Sequence, residues 1–163
     1  MDQLWAPWRM QYIMTPKAEN CIFCTMPGAG DDSAAHIVWR GDSVFVMLNA
    51  YPYNNGHLMI SPFAHAAELE DLEPQTLLEL MTVCQDAIRV LKRHFNPEGV
   101  NVGLNLGAAA GAGVKDHLHL HVVPRWLGDT NFMPVVSDVR VIPQALDHAY
   151  EILRRGFEEL GRV

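Results

Sequence analysis

His117-Leu118-His119-Leu120-His121-Val122-Val123 is the stretch on which the reading of this chain turns. In an extended strand successive side chains face opposite ways, so the three histidines would share one face and Leu118, Leu120 and Val122 the other. Neighbouring imidazoles would then stand roughly 6.5–7 Å apart. A neutral imidazole, with an ordinary pKa of about 6.5, is both a nucleophile and a proton carrier near neutral pH. A row of them suits catalysis or ligand binding, with one ring attacking while its neighbours hold anionic oxygens. The pattern also fits a metal held by three histidines, or a wet strand face with chance histidines.

Around this strand the chain divides into short elements. Gly107 to Gly113 is small and uncharged, so its backbone amides can approach a ligand. Gly99–Leu106 before it reads as a strand. Pro74 opens the most helical segment, in which Leu77, Leu78, Met81, Val83, Cys84, Ile88 and Leu91 run at helical spacing toward Phe95, and Asn96-Pro97 closes it. Strands are predicted at His36–Arg40 and Val44–Leu48, joined at Gly41-Asp42, and at His57–Ser61, stopped by Pro62. Pro124 to Val136 reads as irregular, and Pro143 opens a final helix through Leu160. The first twenty residues form an irregular arm whose Trp5 and Trp8 need a surface or a partner subunit to cover them. The expectation is one α+β domain over residues 1–163 with a mainly antiparallel sheet, an arm at 1–20 and a helical extension at 137–163.

A net charge of −7 argues against a nucleic-acid partner, because a phosphate backbone needs clustered Lys and Arg. A small phosphate ligand needs only a local pocket. No run approaches the ~18 apolar residues of a membrane span, so no membrane partner is expected. Met1-Asp2-Gln3-Leu4-Trp5 reads without a secretory signal, and three cysteines fit a reducing compartment, so the expected location is cytoplasmic. Cys21-Ile22-Phe23-Cys24 is half a zinc site, a pair of plain thiols or a redox pair. Cys84 reads as core, His36, His94 and His148 as surface, and Glu68–Glu73 as a solvated helix face.

The run His117–Val123 resembles the signature of the histidine triad (HIT) superfamily of nucleotide hydrolases and transferases. Asn49-Ala50-Tyr51-Pro52-Tyr53-Asn54-Asn55-Gly56-His57 resembles the same family. The Leu4–Tyr12 arm, Asn101–Gly107 and Pro124-Arg125-Trp126-Leu127-Gly128-Asp129-Thr130-Asn131-Phe132 are similar to the bacterial diadenosine tetraphosphate phosphorylases within it. The resemblance implies a HIT-like α+β fold, with about five antiparallel strands, one long helix and a C-terminal helix, assembled as a homodimer.

It also implies roles. His119 would attack the α-phosphorus of a dinucleoside polyphosphate and form a covalent nucleotidyl-histidine, which splits one hard displacement into two easier ones. Its other ring nitrogen would be held by a backbone carbonyl across the sheet. His121 and His57 would steady the phosphoryl oxygens or assist the leaving group. Asn105 would contact a phosphate oxygen, Asn49 the ribose, and the amides near Gly113 and Val114 the developing charge. Phosphate would accept the nucleotidyl group, giving ATP and ADP from diadenosine tetraphosphate; with water as acceptor the protein is a dinucleoside polyphosphate or phosphoramidate hydrolase. Cys21 and Cys24 would join His65 and His117 around a structural zinc.

No Ser, Thr or Gln lies between Gly107 and His117 to polarise the leaving group, as some members of the superfamily have. Arg125 reads as a phosphate ligand or a cap of the fold, and Trp126 and Phe132 as cleft or core. Two other classes stay open: a hydrolase with one catalytic metal on all three triad histidines, and a nucleotide-binding scaffold without turnover.

Overall fold

The computed structural model describes residues 21–129 and 144–161. The arm at 1–20, Phe132 and the start of the last helix at Pro143 lie outside the described residues. The elements are α1 (Ile22–Gly28), β1 (Ile37–Arg40), β2 (Val44–Leu48), β3 (Leu58–Pro62), α2 (Pro74–Phe95), β4 (Gly99–Leu104), β5 (Leu120–Arg125) and α3 (Leu146–Glu158). Short 3₁₀ turns sit at Leu69–Asp71 and Ala108–Ala110. The strands form one antiparallel sheet in the order β1-β2-β3-β5-β4.

Alternation along β2 shows why both faces of this sheet are covered. Val44, Val46 and Leu48 join the core under α2 and α3, while Phe45 and Met47 join a smaller cluster with Phe23 of α1, Ala35, Ile37 and Met59. The first face holds the fold together; the second carries the histidines. The β1–β2 turn is tied to α2 by Glu79, whose carboxylate accepts the Asp42 and Ser43 amides at 2.8 Å each.

Helix α2 follows its sequence signals, with Pro74 in the first turn and Asn96 left-handed at its end. Its buried stripe is Leu80, Val83, Cys84, Ala87, Val90 and Leu91, so the apolar register is corrected: Leu78 and Met81 are more than half exposed. The Glu68–Glu73 run is not a helix face but a single 3₁₀ turn that buries Leu72. His148 is exposed as expected, whereas His36 packs edge-on against Tyr150 and His94 is half-buried against α3.

At that contact α3 crosses α2 at Gly156, where an added Cβ would stand 2.6 Å from Val90 Cγ1 and 3.0 Å from the His94 ring. Overfilling a packed contact costs about 1–3 kcal/mol. Gly156→Val is therefore expected to lower the urea-unfolding free energy by about 2 kcal/mol. An unchanged midpoint would place the helix crossing elsewhere.

The triad stretch differs from its expected form. Strand β5 begins only at Leu120, because β3 ends at Pro62 and its last pairing with β5 is Ile60 with Leu120. Upstream of that point other partners take the backbone: Leu118 N–H donates to Ala66 O at 2.7 Å and Ser61 Oγ donates to Leu118 O at 3.0 Å. His117 and His119 thus precede the strand, and the His119 and His121 ring centroids are 4.9 Å apart, closer than regular strand spacing gives.

Candidate active site and metal cluster

The structure divides the sequence-predicted residues into two adjoining groups. Cys21 and Cys24, at the start of α1, meet His65 from the loop after β3 and His117 from the triad. Their four ligand atoms all lie within 4.8 Å of one another. Cys21 Sγ is 3.3 Å from His117 Nδ1, Cys24 Sγ is 3.3 Å from His65 Nδ1 and 3.5 Å from His117 Nδ1, and the two imidazole nitrogens are 3.3 Å apart. A tetrahedral zinc with bonds of about 2.3 Å to sulfur and about 2.05 Å to nitrogen needs edges of roughly 3.6 Å and 3.3 Å. The donor set fits such an ion.

Ring orientation fits it too. His117 Nε2 lies 2.9 Å from Pro62 O, and a carbonyl only accepts, so Nε2 carries the proton and the Nδ1 lone pair faces the cluster. A second partner of this kind commonly fixes the tautomer of a metal-binding histidine.

The same bookkeeping of donors orders the second group. His119 Nδ1 donates to His117 O at 2.8 Å, which leaves the Nε2 lone pair unprotonated. The holding carbonyl is therefore two residues back in the same segment, a correction to the expected partner across the sheet. Phe23 stacks on the His119 ring, with centroids 4.7 Å apart and planes 25° apart. Beside it, the Tyr53 amide donates to His57 Nδ1 at 3.0 Å, so the His57 proton sits on Nε2. His57 Nε2 then donates to His121 Nδ1 at 2.9 Å, and His121 keeps its proton on Nε2. That nitrogen lies 3.5 Å from the Asn105 side-chain amide.

Asn49 stands behind the pair, with Nδ2 3.4 Å from His57 Nδ1 and Oδ1 accepting the Tyr51 amide at 2.9 Å. Val114 packs against the Phe23 cluster, and neither its amide nor that of Gly113 donates to a backbone carbonyl among the described residues. Arg125 serves the fold: it grips Asp129 through Nε at 2.6 Å and reaches Asn101 at 2.9 Å. The Trp126 indole donates to Asn96 O. The triad does not converge on one metal, since His117 faces the cysteines, His119 a carbonyl and His121 its histidine neighbour.

Sequence reasoning missed Phe23, the Pro62 carbonyl and the Tyr53 amide. Phe23 sits inside the Cys-x-x-Cys pair, and that position was the available signal.

Burial favours the neutral form of the His119 and His121 rings. It holds His119 below the ordinary imidazole range, against the opposing pull of the His117 carbonyl. Burial, then the nearby His119, lowers His121 to about 4. Because the folded value lies below the unfolded value of about 6.5, the unfolded chain binds more protons between the two. Stability from this group is intact above about pH 6.5 and falls as pH drops toward 4. From pH 7 to pH 5 the loss is expected to be about 2 kcal/mol, and His121→Gln should flatten the urea-unfolding profile by that amount. Equal slopes for the two proteins would contradict it.

Sheet and site together define an α+β protein with a buried histidine cluster beside a Cys/His cluster. The family model for the HIT domain matches residues 31–126, more than half of the chain, and the chain belongs to the HIT family. It is 42% identical over 162 residues to a Mycobacterium tuberculosis protein named AP-4-A phosphorylase, covering 94% of this chain and 83% of that one. Among solved structures, it is similar to a histidine triad nucleotide-binding protein from Sulfolobus tokodaii, with a TM-score of 0.71 and 26% identity over 87% of this chain and 95% of that one. A zinc-bound histidine triad family protein from Mycobacterium smegmatis gives a TM-score of 0.69 and 25% identity, over 87% and 96% of the two chains.

Proposed function

We propose that this HIT-family enzyme is a nucleotidyl transferase that cleaves diadenosine tetraphosphate with phosphate as acceptor, giving ATP and ADP through a nucleotidyl-His119 intermediate. The observation that carries the reading is the donor order of the site. His119 presents an unprotonated Nε2 while its Nδ1 is held, and His57 Nε2–H donates to His121 Nδ1, so that His121 carries its own proton on Nε2 and presents that N–H. A nucleophile and a donor thus stand side by side, their ring centroids 4.9 Å apart.

In the first step His119 Nε2 bonds to the α-phosphorus, the bond from phosphorus to the bridging oxygen breaks, and ATP leaves. In the second an oxygen of inorganic phosphate bonds to that phosphorus, the P–N bond breaks, and ADP leaves. His121 Nε2–H and the Asn105 amide steady the phosphoryl oxygens, and their charge-assisted bonds strengthen as charge builds. Asn49 takes the ribose hydroxyls, and the Gly113 and Val114 amides lie toward the leaving group. The likeness to the protein named AP-4-A phosphorylase, over nearly the whole chain, supports phosphate as acceptor.

Cys21, Cys24, His65 and His117 hold zinc, which cross-links α1, the loop after β3 and the triad segment. Thiolate ligands suit a cytoplasmic location, where thiols stay reduced. No helix among the described residues is long and apolar enough to cross a membrane. The protein acts as one HIT domain and as a homodimer. Edge strand β4 supports the dimer, since it exposes Val102 with Leu106 just beyond it.

The test is to supply diadenosine tetraphosphate with and without inorganic phosphate. ADP and ATP formed only with phosphate is the expected result. AMP and ATP formed at the same rate without phosphate would make the protein a hydrolase.

A further inference from the structure

We propose that Phe23 is a positioning residue that couples the Cys/His cluster to His119, so that the cluster governs where the nucleophile points as well as how firmly the fold is held. The role of His119 rests on the nucleotidyl-transfer reading above; the coupling rests on the geometry and on the zinc proposed for the Cys/His cluster.

Phe23 lies between the two cysteines in α1 and is 1% exposed. Its ring stacks on His119 at 4.7 Å and leans on His117 at 5.3 Å and 40°. Packing with Ile37, Phe45 and Met47 accounts for its burial. It does not account for a near-parallel stack on the one imidazole whose far nitrogen is left unprotonated.

Three contacts hold that imidazole: the His117 carbonyl at Nδ1, the Phe23 ring on its face, and the His121 ring edge-on at 77°. The carbonyl sets which nitrogen is protonated and leaves rotation about the N–H···O axis to the packing. Two of the three restraints belong to the metal cluster, one through the backbone of His117 and one through α1.

Helix α1 cannot hold its own position. It has seven residues, no side-chain cap at Cys21 and Pro27 in its last turn. Isolated helices that short do not persist in water. It is held by an Arg40 hydrogen bond to Pro27 O at 2.8 Å, by the packing of Ile22, Phe23 and Met26, and, with metal bound, by the ligation of Cys21 and Cys24 on either side of Phe23. Loss of the metal would loosen the helix, then the Phe23 ring, then the orientation of His119.

The test uses the zinc-loaded full chain with ¹⁵N-labelled histidine. Wild type should show one His119 tautomer, protonated on Nδ1. Phe23→Leu should keep full zinc and a KM within about 2-fold, while kcat falls about 10- to 100-fold and the His119 signals broaden or average. Full zinc with unchanged kcat and an unchanged His119 signal would overturn the proposal.

Phe23→Met is the second variant. If both variants lose zinc, wild type stripped of zinc by a chelator decides the matter: a His119 spectrum that stays as in the loaded protein overturns the coupling, and a broadened one supports it. The spectra need no substrate, so a wild type without phosphate-dependent turnover would sink the functional reading while leaving this inference to stand or fall by itself.

Discussion

Replacing His119 with alanine is expected to cut the turnover of diadenosine tetraphosphate by at least about 10⁴-fold. The size follows from what is lost. A nucleophile that forms the intermediate has no substitute among its neighbours, because His57 Nδ1 accepts the Tyr53 amide and His121 Nδ1 accepts the His57 Nε2–H. His121→Gln, which keeps a donor near the phosphoryl oxygens, should cost less, about 10²–10³-fold. The fold should survive His119→Ala, since the metal ligands lie in the adjoining group and the main core lies on the other face of the sheet. Activity within about 10-fold of wild type in a zinc-loaded His119→Ala protein would remove His119 from the reaction.

Removing the metal is expected to have the largest effect on stability. Structural zinc in small peptides carries about 10–16 kcal/mol of apparent folding free energy. Here the sheet and helices have their own core, so only part of that falls on the cluster. Even about 5 kcal/mol, at about 2–4 °C per kcal/mol for a chain of this size, lowers Tm by roughly 10–20 °C. Cys24→Ala should reproduce the shift seen with a chelator and lose the bound zinc, because Cys24 Sγ approaches both imidazole nitrogens. A protein purified with one zinc per chain whose Tm does not move when it is stripped would make the cluster dispensable.

Much of this architecture was legible because the signals were local. Pro74 and Asn96 mark the two ends of α2, and Gly41-Asp42 and Pro62 set limits on β1, β2 and β3. The site residues were legible for a different reason: chemistry needs particular side chains, and His57, Asn105, His119 and His121 do come together.

What the sequence hid depends on contacts between distant segments. Helix α1 carries no strong helix signal and contains Pro27, and the side chains its cysteines meet lie some 40 and 96 residues away in His65 and His117. The late start of β5 depends on where β3 runs out and on Ser61 bonding to Leu118. The face that α2 buries depends on where the sheet lies, so spacing alone placed Leu78 and Met81 on the wrong side. The His117 carbonyl was missed as the partner of His119 because an alternating strand was expected where the backbone is irregular.

The central claim is that His119 Nε2 takes the nucleotidyl group. Its most direct test is to mix the zinc-loaded protein with diadenosine tetraphosphate in the absence of phosphate, quench in base within one turnover, and map the adenylyl group by mass spectrometry. The account predicts one AMP per active site on the peptide containing His119, discharged to ADP when phosphate is added before the quench. An adduct on another residue, or product release with no adduct at any time within the turnover, would contradict it.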